Sequence, residues 1–279
     1  MAAMGMYAVG TRPLINILSN HVNPKLCKQV WYADDSSSAG KLLEIRSWWD
    51  ELNLAGPKFG YFPKPSKTVL ILKDDSSLVD RANEIFGDTE IVITTEGERH
   101  LGAVIGSNSF REFYIKKKVD SYVKDVEQLA DIAKDEPQLA YSAYTKALSM
   151  RWTHLQRTIP NISEYFIPLE EAICERLIPA IVGRKLSPLE RRLVAQPVRY
   201  GGLGITNPVV TSDNEFKTSV TVTKNLTDLI QKQENDLVNY DVNKVKAESL
   251  RMDAEKEDNY KTEHNEILSQ VDEDLHRYI

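Results

Sequence analysis

Cysteine is scarce in this sequence: 279 residues hold only Cys27 and Cys174. They form no CxxC pair and are too few for a disulfide framework, which excludes a disulfide-stapled scaffold and a sulfur-based metal centre and points to a reducing compartment. No run approaches eighteen apolar residues, and no basic region precedes the N-terminal apolar stretch. The sequence therefore offers neither a membrane span nor a secretory signal, and an intracellular location, nuclear or cytoplasmic, is expected. Internal repeats are absent. The glycine-rich stretch R-Y-G-G-L-G-I-T-N-P, Arg199 to Pro208, lacks the spacing and the preceding strand of a dinucleotide loop, so it is read as a turn and not as a phosphate cradle.

What is present is a globular composition, 42% hydrophobic and 27% charged, enough for one large or two smaller cores. The net charge of −6 is unevenly placed: Lys224 to Ile279 carries 8 Lys/Arg and 14 Asp/Glu, which leaves 27 of each sign in the residues before it. A neutral body with an acidic tail does not exclude a nucleic-acid partner, because basic residues sharing one face suffice.

The most informative stretch is C-K-Q-V-W-Y-A-D-D, Cys27 to Asp35. Val30, Trp31 and Tyr32 are strand formers suited to burial in a sheet, and Asp34 and Asp35 are turn formers, so a strand ending in a tight turn with both acids at its tip is expected. Adjacent ionised carboxylates repel, and a divalent cation relieves that repulsion. The chemistry suggested is Mg²⁺- or Mn²⁺-assisted phosphoryl or nucleotidyl transfer.

Around it, Met4, Met6, Tyr7, Leu14, Ile15 and Leu18 suggest an apolar helical segment interrupted at Pro13. Ser36 to Ser38 offer N-cap oxygens for a helix carrying Leu42 to Leu52 and stopped by Gly56 and Pro57. In that helix Trp48 and Trp49 read as core in preference to base-stacking surfaces. Gly60 to Lys73 gives a proline-punctuated loop and then a buried strand over Thr68 to Leu72, flanked by Lys64, Lys67 and Lys73, which are either a solvated rim or triphosphate contacts. Ser76 to Phe86 reads as a helix closed by Gly87. Ile91 to Ile93 and His100 to Ile105 bracket T-T-E-G-E as a hairpin.

From Ser109 the pattern turns helical, over Phe110 to Ala133, Gln138 to Leu155 and Leu169 to Val182. Two basic groups, Arg111 with Lys116 to Lys118, and Arg151, Arg157, Arg184, Lys185, Arg191 and Arg192, are either solvated faces or phosphate contacts. Beyond Asn214 a polar tail carries two apolar stripes, Leu226, Leu229, Ile230 and Leu237, and Ile267, Leu268, Val271 and Leu275. The stripes flank the charged Glu248 to Glu263. The fold class expected is α+β: a partial polymerase palm with a short antiparallel sheet (residues 1–108), a thumb-like helical domain (109–213) and an acidic helical or partly disordered tail (214–279).

In their order these landmarks resemble a retrotransposon-type, non-LTR-like reverse transcriptase, over roughly Ala2 to Asp213. A-M-G-M-Y-A-V-G-T-R-P-L-I is similar to the end of the palm helix that contacts template, and Y-A-D-D to the catalytic hairpin. Gly60, Pro65, Ser66, Lys67 and Thr68 match the loop whose lysine lies near the incoming nucleotide, and H-L-G-A-V-I resembles the primer-gripping hairpin. R-Y-G-G-L-G-I-T-N-P is similar to a segment beyond the thumb.

The resemblance implies that Asp34 is a shared metal ligand, Asp35 an auxiliary metal-site carboxylate, Tyr32 a residue beneath the primer end, Lys67 an acid or triphosphate contact, and Leu101 and Gly102 primer-positioning residues. It implies an RNA template, a DNA primer and deoxynucleoside triphosphates as partners, with protein contacts left to the acidic tail. Polar Ser36 to Ser38 depart from the apolar second strand of the family hairpin, which predicts a short strand, and Lys64 stands where an asparagine is common. The family's first catalytic aspartate, fingers and glutamine-glycine turn lie upstream of Met1. This chain is therefore expected to be a poor polymerase alone, with an exposed sheet edge, unless Asp74 or Asp75 completes the metal site. A non-catalytic nucleic-acid-binding remnant or adaptor is the alternative. An unrelated helical scaffold in which Y-A-D-D is a chance turn is the third reading.

Overall fold

Residues 2–233 and 241–270 are described in a computed structural model. Helix α1 (Ala2–His21) runs straight through Pro13, contrary to the expected interruption. Proline removes the amide that would bond the carbonyl four residues earlier. That residue, Val9, is 75% exposed.

Strands β1 (Cys27–Tyr32) and β2 (Asp35–Gly40) form an antiparallel two-stranded sheet in which Tyr32 faces Asp35 and Cys27 faces Gly40. Helix α2 (Leu42–Ala55) follows, with Lys41 at its N-cap and no side-chain cap bond. Two expectations are corrected here. Ser36 to Ser38 are strand residues and not a helix cap, and β2 is as long as β1 despite their polarity. Ladder hydrogen bonds, not apolar side chains, define this strand. The sheet is covered on one face only, so β1 alternates: Cys27 and Gln29 are buried, while Val30 and Tyr32 are exposed.

Helix α2 ends at Ala55 as expected. The chain then continues as a 3₁₀ turn over Gly56–Phe59, and the left-handed stop is Gly60, with φ of 75°, not Gly56. A 3₁₀ turn (Pro65–Lys67) leads into β3 (Val69–Ile71), which is short and half-buried and pairs in parallel with β4 (Val92–Thr94) across α3 (Ser76–Phe86). Asp75 caps α3 by accepting the amide and hydroxyl of Ser77 at 2.9 and 2.7 Å. The expected hairpin around T-T-E-G-E is displaced: β5 (Gly97–His100) pairs with β6 (Ala103–Gly106) across Leu101 and Gly102. Both turn residues have positive φ, 48° and 83°, the pattern of a tight two-residue hairpin turn.

The rest is helical: α4 (Asn108–Ala133), α5 (Pro137–Ala143), α6 (Met150–Thr158), α7 (Ile167–Ala172), α8 (Ile178–Val182), α9 (Pro188–Ala195), α10 (Pro208–Lys232) and α11 (Val242–Leu268). Single π-turns at Tyr144–Leu148 and Ile173–Leu177 interrupt what the periodicity reads as continuous helices. The fold is thus α+β and mostly helical. Among the described residues no helix is long and apolar enough to cross a membrane. Leu237, Val271 and Leu275 of the expected tail stripes lie outside the described residues.

Two compact units emerge. The first comprises 2–98, 105–107, 224–233 and Asp241; the second comprises 99–104, 108–223 and 242–270. In the first, Leu14, Leu18, Val22, Cys27, Trp48, Trp49, Leu52 and Ala55 form the core, with Trp31, Phe59 and Tyr61 packed on it. Trp48 and Trp49 are 4% and 6% exposed, so they are core residues. In the second, α4 supplies Ile115, Val119, Tyr122 and Val126 to a core shared with Tyr144, Trp152, Phe166 and Leu177.

Candidate functional site

In the first unit the site begins with the turn Ala33–Asp34 that joins β1 to β2. Ala33 has φ of 53°, and Asp34 is not in the left-handed region. Positive φ at the first central residue alone is the pattern of a type II′ turn, which matches the twist of a hairpin and normally takes glycine there. Holding alanine in it costs on the order of 1–3 kcal/mol. Asp34 and Asp35 are both exposed at this tip, and no protein donor among the described residues bonds either carboxylate.

Tyr61 holds the tip from the side. Its hydroxyl donates to the Asp34 carbonyl at 3.1 Å and shares a 2.8 Å hydrogen bond with Ser36 Oγ, and its ring meets Trp31 edge-on with centroids 5.1 Å apart. Burial, then the charges of Asp35 and Asp34, push the Tyr61 phenol up. The Tyr7 phenol is raised by burial, then by Tyr61 and Asp34. Both phenols therefore stay protonated donors around the acidic tip.

Gln29 anchors the strand below. Its side chain is 8% exposed, and its Oε1 accepts the indole N–H of Trp31 and of Trp48, each at 3.0 Å. Its Nε2 donates to the Ile15 carbonyl at 3.2 Å and to Ser19 Oγ at 2.7 Å. The backbone of Gln29 faces away from β2 and is met by the side chain of Gln233: the Gln29 amide donates to Gln233 Oε1 at 2.9 Å, and Gln233 Nε2 donates to the Gln29 carbonyl at 3.0 Å. One side-chain amide thus imitates one residue of a neighbouring strand. The expected bare edge is covered at this residue. Gln233 itself has φ of 57°. Of the four described non-glycine residues with positive φ, Ala33, Leu101, Asn161 and Gln233, three lie at the two hairpin turns or on the β1 edge.

Lys67 is exposed at the end of its 3₁₀ turn, and its amide bonds the Lys64 carbonyl at 3.0 Å. Among the described residues it makes no hydrogen bond or ion pair with Asp34 or Asp35. The Gly60–Thr68 loop reaches the hairpin through Tyr61 instead, a residue that its sequence context did not single out. Asp75 is committed to capping α3. No group of three or more His, Cys, Asp or Glu suited to a metal ion occurs among the described residues. The donor set at the tip is thus two uncommitted carboxylates from one turn. By its chemistry this donor set would suit a small hard cation that takes one or two protein carboxylates and keeps water or phosphate at its other positions.

In the second unit Gly102 of the Leu101–Gly102 turn lines a cavity of about 240 Å³. Tyr114 of α4 donates to the Gly102 carbonyl at 3.0 Å, and His154 Nε2 of α6 lies 3.3 Å from the Leu101 carbonyl. Gly102 lies so close to the imidazole that an added Cβ would fall 2.8 Å from His154 Nε2. Arg99, Lys118, Arg151, Tyr122 and Leu155 complete the lining. The Lys118 ammonium sits 5.7 Å from the centre of the Tyr114 ring, and the Arg151 guanidinium 5.6 Å from that of Tyr122 while paired with Asp125. Burial is the main reason the Tyr122 phenol is raised. Cations beside aromatic rings are the side-chain set that contacts phosphate and stacks on bases.

The two basic groups differ. Lys116, Lys117 and Lys118 have no carboxylate partner among the described residues, and two of them lie over rings, Lys116 at 6.0 Å from Tyr165. In the second group every member is ion-paired: Arg151 with Asp125, Arg157 with Glu215, Arg184 with Glu190, Lys185 with Glu175, Arg191 with Glu170, and Arg192 with Glu263 and Glu266. Each of these cations is neutralised by a neighbouring carboxylate, and Arg151, Arg157, Arg184 and Lys185 stay half or more exposed. Comparison of the chain with protein-family models, curated proteins and solved structures finds no match.

Proposed function

We propose that this chain is part of a retroelement-type RNA-directed DNA polymerase, in which the β1–β2 hairpin contributes metal-binding carboxylates and the helical unit holds nucleic acid. The observation that carries this reading is the tip itself: two exposed carboxylates, bonded to no protein donor, on a tight antiparallel turn that keeps alanine in a left-handed conformation. In the roles that the resemblance implies, Asp34 is the shared ligand and Asp35 the auxiliary carboxylate. Tyr32, 63% exposed beside the turn, is available to a primer end. Leu101 and Gly102 position the primer strand, and Lys67 contacts triphosphate. A divalent cation, Mg²⁺ or Mn²⁺, supplies activation of the attacking oxygen and charge neutralisation on the leaving pyrophosphate. The residues of this chain hold the cation and orient the strand.

A second reading, a non-catalytic nucleic-acid-binding protein, is favoured by a different observation. No third metal ligand joins Asp34 and Asp35 among the described residues, and Gln233 takes up the β1 edge at Gln29.

The experiment that separates them is primer extension on an RNA template with Mg²⁺ or Mn²⁺, comparing the chain with Asp34→Asn, alongside binding of the same RNA–DNA duplex. Incorporation lost in Asp34→Asn with binding retained supports the polymerase. Equal background with intact binding supports the second reading. Absence of duplex binding overturns both. In either reading Lys118→Ala and Lys117→Ala each flatten the dependence of log affinity on log salt by about 1, the loss of one phosphate contact.

A further inference from the structure

The acidic helix α11 lies on basic residues of its own unit through ion pairs that copy phosphate contacts. Glu257 faces the Arg199 guanidinium through both carboxylate oxygens and accepts the Tyr200 hydroxyl at 2.6 Å. Arg192 spans Glu263 and Glu266 at 2.6 and 2.9 Å, and Lys217 pairs with Glu255. The rings add to this: Arg199 lies 6.0 Å from the Tyr260 ring centre, and Tyr200 packs against His264 with centroids 5.1 Å apart. Yet only Met252 and Ile267 of this 27-residue helix are buried. Its attachment is therefore chiefly electrostatic. Partly exposed pairs of this kind are individually weak and weaken further with salt.

From Glu255 to Glu266 the helix rises about 16 Å, the axial length of about five nucleotides along one strand of a duplex. Arginine forks bind phosphate as they bind carboxylate. We propose that α11 is an internal stand-in for a nucleic-acid strand. Glu255, Glu257, Glu263 and Glu266 occupy phosphate positions on Lys217, Arg199 and Arg192, and a nucleic-acid backbone binds this face by displacing the helix. This rests on the nucleic-acid reading above and adds to it a covered second surface with its own gate.

The test uses the full chain and a fluorescein-labelled RNA–DNA duplex followed by anisotropy. Glu255→Gln/Glu257→Gln/Glu263→Gln removes three of the four carboxylates that face the basic residues, one from each of Lys217, Arg199 and Arg192. The control Glu248→Gln/Asp253→Asn/Asp258→Asn changes net charge by the same amount at positions on α11 with no cross-helix basic partner. The first variant is expected to bind at least tenfold tighter than the parent, with a salt slope steeper by about 2–3; the control changes affinity by less than about threefold, as long-range charge alone allows. Adding Arg192→Gln/Arg199→Gln/Lys217→Gln to the first variant returns affinity to the parental range. Equal gains in both triple variants overturn the proposal, as does no gain in either while the parent binds. If no form of the protein binds the duplex, the nucleic-acid reading fails with it. Hydrogen exchange on the unmutated chain gives an independent outcome: saturating duplex is expected to raise exchange over 242–268, and unchanged or increased protection there refutes displacement.

Discussion

Replacing Gln29 by leucine tests how the hairpin is held. Leucine keeps most of the volume but removes an acceptor used by two indoles and a donor to Ile15 and Ser19. The Trp48 N–H, on a side chain 4% exposed, is then left without a partner. A buried unsatisfied donor costs about 1–3 kcal/mol. Trp31 is half-buried and loses less, while the Ile15 carbonyl, in mid-helix, retains its helical bond and Ser19 can turn to water. The sum is roughly 2–5 kcal/mol, a large share of the ~5–15 kcal/mol that holds a typical domain. Urea unfolding followed by tryptophan fluorescence reads it directly, since Trp31, Trp48 and Trp49 belong to this unit. In a Trp48→Phe background the same replacement is expected to cost about 1–2 kcal/mol less, because the orphaned donor is gone. A loss below about 1 kcal/mol in the unmutated background, or strict additivity with Trp48→Phe, refutes the role given to Gln29.

Other outcomes follow from the same reasoning. Gly102→Ala forces a side chain into φ of 83° and against His154, and is expected to lower stability by about 1–3 kcal/mol in thermal unfolding. Arg191 is 11% exposed and faces Glu170, 14% exposed, so Arg191→Leu strands a carboxylate and is expected to cost about 3–5 kcal/mol; adding Glu170→Leu recovers most of it. Burial raises the Cys27 and Cys174 thiols to about 11. A raised folded-state value favours the protonated fold: this stability is complete below the ordinary thiol range and is lost as pH rises toward about 11. The urea midpoint is expected to fall between pH 8 and 11, less steeply in Cys27→Ala/Cys174→Ala, and both thiols to react slowly with a disulfide reagent at pH 8 in the folded protein.

Much of the local structure was legible in the sequence. Strand formers followed by two aspartates gave β1 and its turn, the spacing of Leu42 to Leu52 gave α2, and Ser76 to Phe86 gave α3, whose Asp75 cap only the structure shows. What failed did so for identifiable reasons. The serines of β2 carry no strand propensity, and only pairing with β1 makes them a strand. The β5–β6 turn uses Leu101–Gly102, which lacks the asparagine or aspartate that normally marks such a turn. Pro13 lies inside α1, where the residue four positions earlier, Val9, is exposed. The contacts that shape the candidate sites join residues far apart in sequence, 204 positions for Gln29 and Gln233 and 58 for Arg199 and Glu257. Composition showed the acidic tail and the basic helices separately; only the fold brings Glu257 and Glu263 onto Arg199 and Arg192.

The tip of the hairpin offers the most direct test of all. Titrating Mn²⁺ into the isotope-labelled chain and following backbone amide signals reads cation binding residue by residue. Selective broadening of Ala33, Asp34, Asp35 and neighbouring Tyr61, abolished by Asp34→Asn and weakened by Asp35→Asn, is the predicted result. Broadening spread over the acidic α11 with none at the hairpin, or broadening at the hairpin that survives Asp34→Asn unchanged, would contradict the assignment of these two carboxylates as metal ligands.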